Sequence, residues 1–447
     1  MSRDEIIQAR DKSLAHLRGI FGDDSETVIA EQRYGFIDGL LKDTLKKPTT
    51  EKITTSHKID RVLLHRVWGI PIFLGIMYGL FQFIFNAAAP LADLIKAGLA
   101  RLAEIAAGVS PAWWGSLLGD GIIGGVGSVL SFVPNIFFLF IAISILEDCG
   151  YLARAAFVMD RAMHRVGLHG RSFIPLVLGF GCTIPALMAC RTIENPRDRI
   201  TTVLISPFIA CGARLPIFVL LAGAFFPARA GLVVFALYMI GIGVAIITAL
   251  IFRKTLFRGE SGHLVMELPP YRLPTFIGTM VHMWERGKHF LQRAGTIIFA
   301  AMVFVWFLGN MPLGVEYASA QSWLGQVGSF LAPVFIPCGF GQWPAVASLI
   351  SGFFAKETVV GTLGAIFAVK EGVLGGALIT QLGWTPLVAF GFMVFSLLYT
   401  PCIAAIGTMR SETHSWKWPW FSIAYSTGVA WVAATLIYQI GRLVTSG

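Results

Sequence analysis

Three cysteines stand where apolar runs are interrupted by glycine or proline. The run GFGCTIPALMACR, from Gly179 to Arg191, puts Cys182 and Thr183 between a glycine break and Pro185. SPFIACGARLP, from Ser206 to Pro216, sets Cys211 between a proline and a glycine, and YTPC, from Tyr399 to Cys402, sets Cys402 directly after Pro401. A fourth break, GFFAKET from Gly352 to Thr358, carries Lys356 and Glu357 in an otherwise apolar run. A thiolate is a soft ligand, so such a set favours a transition metal over magnesium or calcium, without saying which metal. An ionisable group inside a span costs roughly 2.5–3.5 kcal/mol on insertion scales, which marks Glu357 as a cation ligand or proton relay. Pairing with Lys356 is the plainer alternative, but adjacent residues on a helix point apart. The candidate metal ligands are therefore Cys182, Cys211, Cys402 and Glu357. Gly181, Thr183, Pro185, Ser206, Lys356, Thr358, Thr400 and Pro401 are the neighbours expected to line a path. Each cysteine has a competing reading as a small buried filler. For Cys149, Cys190 and Cys338, at span ends or in a loop, that reading is preferred.

Other chemistry is missing. No H-E-x-x-H, G-x-S-x-G or G-x-x-x-x-G-K-[ST] occurs, so no zinc protease, hydrolase elbow or nucleotide-binding loop is recognisable. His164, His169, His282 and His289 fall in charged stretches, where a solvated or headgroup role is expected. Glu147 and Asp148 form an acidic mouth or a helix cap.

The elements that must position these residues are membrane spans. Of 447 residues, 55% are hydrophobic and only 14% charged, with a mean hydropathy of +0.70. That excludes a soluble globular domain, a disordered tail and a secreted disulfide scaffold. A net charge of +9 reads as membrane topology rather than nucleic-acid binding. Six or seven segments approach the roughly 20 apolar residues that a crossing needs: Trp68 to Ala89, Gly124 to Leu146, Ile200 to Phe226, Leu232 to Phe252, Ala294 to Leu308, Leu387 to Ile406, and Phe421 to Ile440. Phe173 to Cys190 and Pro344 to Phe367 are interrupted. Before them, Met1 to Arg66 is polar without a cleavable signal, with helices expected over Arg3 to Ile20 and Ser25 to Leu45, Ser25 as an N-cap and Lys46-Lys47-Pro48 as the stop.

Basic residues fix the orientation. The Cys149 to Arg171 loop carries four arginines against Asp160, and the Arg253 to Arg293 connection has seven basic residues against three acidic ones. Both belong in the cytosol. Three full crossings between them could not begin and end on one face, so Phe173 to Cys190 must turn back as a re-entrant hairpin. Non-helical backbone at that depth has to be buried in protein or line a cavity. The second half repeats the order from the opposite side. The expected fold is all-α and polytopic, with two inverted repeats whose broken segments meet near the midplane. Its expected parts are a cytosolic helical stalk at 1–66, a first span and external amphipathic connection at 67–120, a first repeat at 121–252, a basic cytosolic connection at 253–293, and a second repeat with C-terminal spans at 294–447.

These motifs carry a resemblance. KIDRVLLHRVWGIPIFLGIMYGLFQFIF from Lys58 to Phe85, ILEDCGYLARAAFVMDR from Ile145 to Arg161, and GFGCTIPALMACRTIE from Gly179 to Glu194 closely resemble the membrane domain of FeoB-type ferrous iron transporters. GFFAKET and YTPC add to this, and AEQRYGFIDGLL, from Ala30 to Leu41, resembles the end of that family's cytosolic region. The two broken-segment units are similar to the family's Gate repeats, which also resemble those of concentrative nucleoside transporters. The resemblance implies Fe²⁺ movement into the cytosol across a bacterial inner membrane, with a cytosolic N-terminus. It implies that Cys182, Cys211 and Cys402 match the cysteines proposed to line an iron path, and that Glu357 matches the acidic position of the second Gate. The partners implied are Fe²⁺, the lipid bilayer, a GTPase domain or subunit, small cytosolic Feo accessory proteins and further copies of the chain. No nucleic acid and no cofactor are implied. One departure is large: the family normally begins with a GTP-binding domain, whose P-loop does not occur here. The expectation is an excised membrane domain or a protein encoded in two parts, with GTP control in another polypeptide segment. The competing functions are a nucleoside or other solute carrier and a non-transporting regulatory membrane domain.

Overall fold

The computed structural model describes residues 3–21, 32–37, 39–41, 55–65, 68–107, 119, 122–257, 270–312, 315, 317–369 and 371–446. The chain divides into two compact units, Met1–Lys58 and Ile59–Gly447. In the first, α1 spans Arg3–Phe21, and residues 32–37 and 39–41 are helical. The Ser25 cap and the Lys46 to Pro48 stop lie outside the described residues.

Helix α2 (Thr55–Leu63) leads into the second unit, which opens with α3 (Gly69–Ala107). The sequence reading ends this span at Ala89 and follows it with a connection, yet the helix runs on through Pro90. Next come α4 (Gly124–Asp148) and the amphipathic α5 (Tyr151–Val166), which meet at 78° across Gly150. Gly150 has φ +78, a left-handed conformation that suits glycine. The first hairpin is α6 (Phe173–Gly179) and α7 (Thr183–Ala189). It is followed by the broken span α8 (Pro196–Ile205) and α9 (Leu215–Phe225), then α10 (Ala230–Thr255).

The second half runs from α11 (Phe276–Phe290) through a π turn into α12 (Thr296–Asn310), then α13 (Trp323–Leu331). The chain bends by 103° between the segment Trp323–Cys338 and α14 (Trp343–Phe354), and the interrupted stretch continues as α15 (Thr358–Phe367), followed by α16 (Glu371–Leu382). The broken span is α17 (Pro386–Leu398) and α18 (Ile403–Thr413), and α19 (Lys417–Ser446) ends the chain. Helices α13 and α16 lie in stretches of the second repeat where the sequence reading places no span. Both are short and apolar, below the length of a span, so a window tuned to crossings passes over them. Among the described residues, five helical segments are long and apolar enough to cross a membrane, or seven if each sharply bent pair counts as one.

Proline and backbone preference explain the breaks. Pro207 removes an N–H and crowds the carbonyl one turn back, so α8 ends at Ile205 and the chain is extended at Ile209 and Cys211. Pro401 disfavours helix in the residue before it, and Tyr399 and Cys402 are extended on either side. Pro185, by contrast, sits in the first turn of α7, where its missing N–H would have no helical partner anyway. The two halves interlock: α18 packs on α7, and α9 packs on α15, α16 and α17.

Close approach requires glycine at one crossing. A Cβ on Gly241 of α10 would stand 2.6 Å from the Phe208 carbonyl oxygen at the first break. Gly241→Ala is expected to cost about 1–3 kcal/mol, as overpacking does. Thermal unfolding in detergent checks this, with Gly231→Ala, which meets nothing within 4 Å, as the neutral comparison.

Candidate functional site

The four breaks converge. Cys182 is the extended N-cap of α7, Cys402 that of α18, and Glu357 precedes α15; none of the three helices has a side-chain cap. The first N–H groups of these helices therefore have no capping side chain. Cys211 is buried, while Cys182 and Cys402 are half-buried. Cys182 and Cys211 line one cavity, and Cys182 and Cys402 pack against the same apolar cluster at the starts of two helices, α7 and α18, that touch. A cavity of about 90 Å³ is lined by Gly181, Cys182, Cys211, Gly212 and Asn135, well above the ~10–15 Å³ that one water needs. The Gly212 N–H donates to the Gly181 carbonyl at 3.1 Å and fastens the first hairpin to the first broken span. Among the described residues no three His, Cys, Asp or Glu side chains are grouped to hold one ion together.

The carbonyls freed by the two broken spans are held by buried cations. Arg214, 1% exposed, donates from Nη1 to Pro207 O at 2.9 Å and Ile209 O at 3.3 Å. Lys356, 2% exposed, donates from Nζ to Thr400 O at 2.6 Å and lies 3.1 Å from the centroid of the Tyr399 ring. Each break thus exchanges lost helical bonds for a charge-assisted one.

The remaining expected residues divide. Gly181, Lys356, Thr400 and Pro401 stand at the breaks. Ser206 turns its hydroxyl back to Thr202 O at 2.6 Å, and Thr358 turns its own to Ala355 O at 2.7 Å. Thr183 is buried, and Pro185 faces a second, larger cavity of about 520 Å³ together with Leu178, Ile143, Glu147 and Arg191. Ion pairs border that cavity: Arg286 with Glu147 at 2.8 Å, and Arg191 with Glu412 at 2.5 Å. Arg214, Asn135 and Tyr399 belong to the site although the sequence reading gives them no role. Their signal is a lone arginine, amide or phenol in an apolar run beside a proline.

Two hairpins and two broken spans of the same order define a Gate-type helical membrane domain, and the comparisons agree. A family model described as nucleoside recognition, Gate, matches residues 129–225 and 291–416. The ferrous iron transport protein B C terminus matches 234–286, and the FeoB cytosolic helical domain matches 1–46. The chain is 41% identical to an Fe(2+) transport protein A/Fe(2+) transporter FeoB fusion protein of Porphyromonas gingivalis, over 98% of this chain and 58% of that one. It is 42% identical to an Fe(2+) transporter FeoB of Staphylococcus aureus, over 92% and 63%, and 38% identical to one of Campylobacter jejuni, over 92% and 69%. The chain belongs to the FeoB family. It spans about three fifths of the length of the first two of these relatives. No solved structure matches it.

Proposed function

We propose that this chain is a membrane domain through which Fe²⁺ passes into the cytosol, its route formed where the two Gate units meet. The observation that carries this reading is that Cys182, Cys211 and Cys402 all stand on unwound backbone where the two halves interlock, the first two lining one cavity, with Glu357 at the fourth break. Soft sulfur donors match a borderline transition-metal ion, and donors not gathered into one closed site would bind weakly enough to release, as conduction requires. The names of the relatives support Fe²⁺ as the substrate. Gly181 and Thr400 would line the route, and the large cavity beside Glu147 and Arg286 would be its cytosolic vestibule.

The same reading places the chain in a bacterial inner membrane with its N-terminus inside, since the basic Cys149 to Arg171 segment, with Arg165 and Arg171, then lies on the cytosolic side. GTP hydrolysis belongs to a GTPase domain or subunit. The P. gingivalis relative, whose name joins transport protein A to FeoB, supports a small accessory partner. Self-association belongs to the same proposal.

Uptake into proteoliposomes loaded with a metal-sensitive dye tests it. Fe²⁺ is expected to enter faster than Mn²⁺ or Zn²⁺, and the GTPase part, when supplied, to change the rate. Uridine uptake without metal uptake would favour the nucleoside reading that the Gate description suggests.

A further inference from the structure

We propose that Lys356 is a tethered cation: its ammonium occupies the second broken span while the route is empty, and an entering divalent ion must displace it. This rests on the thiol-lined route proposed above.

Lys356 sits in the break between α14 and α15, and its stem carries Nζ across to the break between α17 and α18. There it has one carbonyl, Thr400 O, and one aromatic face, Tyr399. An ammonium has three donors, and among the described residues no carboxylate is paired with this one. Carbonyls released by an unwound helix and aromatic faces are groups that hold cations in general. Thr400, 7% exposed, also has a buried hydroxyl without a hydrogen-bond partner. Cys402 follows two residues after Thr400, on the same extended break. A carbonyl, an unpartnered hydroxyl and an aromatic face thus border a place that a side-chain cation fills.

Arg214 is the other buried basic side chain at the breaks, but its Nη1 is committed to two carbonyls of the first break. Two basic side chains, each 2% exposed or less, therefore serve the breaks that carry Cys211 and Cys402, and like charges repel most where burial is deep. A divalent ion entering there meets that repulsion in full unless one charge withdraws. A flexible four-carbon stem can swing away, whereas a planar guanidinium holding two carbonyls is fixed. Lys356 would set how weakly the metal is held, and so how quickly it leaves.

Co²⁺ serves as the probe, because thiolate ligation gives a charge-transfer band in the near ultraviolet. In the purified chain, Lys356→Gln keeps a donor for the Thr400 carbonyl but removes the charge; Lys356→Met removes both. Each is expected to bind Co²⁺ about tenfold more tightly than the parent, and Lys356→Gln to release it more slowly. Parental or weaker affinity in a monodisperse Lys356→Gln protein overturns the inference, and Lys356→Met decides in the same way if the first variant does not fold. A parental band that persists in Cys182→Ser, Cys211→Ser and Cys402→Ser alike, or no band at all, overturns the thiol route and this inference together. A thiol-dependent band with unchanged affinity in the Lys356 variants overturns this inference alone.

Discussion

Serine in place of Cys211 is expected to lower Fe²⁺ uptake into proteoliposomes about tenfold or more, a loss of at least ~1.4 kcal/mol, with expression and elution unchanged. The substitution keeps nearly the same volume and shape, so packing around the first break should survive. What it removes is the soft donor: a hydroxyl is a poor ligand for a metal that a thiolate holds. Cys211 lies on extended backbone and lines the small cavity with Cys182, so its sulfur faces space. Cys190 and Cys338 are the comparisons. The Cys190 thiol donates to Ala186 O at 3.4 Å within its own helical turn, and Cys338 Sγ lies 3.2 Å from Thr435 Oγ1. Cys190→Ser and Cys338→Ser should transport at the parental rate. Uptake by Cys211→Ser equal to that of the parent would take this residue out of the route.

The largest loss of stability is expected at Asp60. Arg154, 2% exposed, donates from Nε to Asp60 Oδ1 at 2.7 Å and from Nη2 to Oδ2 at 3.2 Å, while its Nη1 reaches Gly150 O at 3.0 Å. Tyr271 stacks its ring 3.8 Å from the guanidinium carbon and donates its hydroxyl to Asp60 Oδ1 at 2.9 Å. Burial, with the hydrogen bond to Asp60, pushes the Tyr271 phenol above its ordinary range and keeps it a donor. The cluster joins α2, α5 and the end of the long connection. Asp60→Ala leaves a buried guanidinium without its counter-charge, which typically costs about 3–5 kcal/mol. Replacing both partners by apolar residues should cost much less, because no orphaned charge remains. Thermal unfolding in detergent decides this: a double variant as unstable as Asp60→Ala would refute the account.

Much of the architecture is legible in the sequence because the membrane makes its signals strong. A proline or glycine inside an apolar run must be accommodated, so Gly181, Pro207, Pro401 and the Ala355 to Glu357 stretch mark their breaks directly. Pro90 shows where that logic fails, since the helix continues through it and the span's end is not where local preference puts it. The partners of charged residues are less legible still. Lys356 finds Thr400, 44 positions on, and Arg154 finds Asp60, 94 positions back. Such pairings depend on which helices pack together, and spacing along the chain carries no trace of them. Arg214 illustrates both sides: its presence in a span is conspicuous, but its use as a cap for two carbonyls requires knowing that the span unwinds.

The link from the Gly212 amide to the Gly181 carbonyl involves no side chain. Systematic alanine replacement would leave both groups in place and could report the crossing as inert, however much it contributes. Only chemistry on the main chain, such as an ester substituted for the amide at position 212, would weigh this fastening on its own. A map of important residues built by mutagenesis would therefore have a blind spot where hairpin and span are joined.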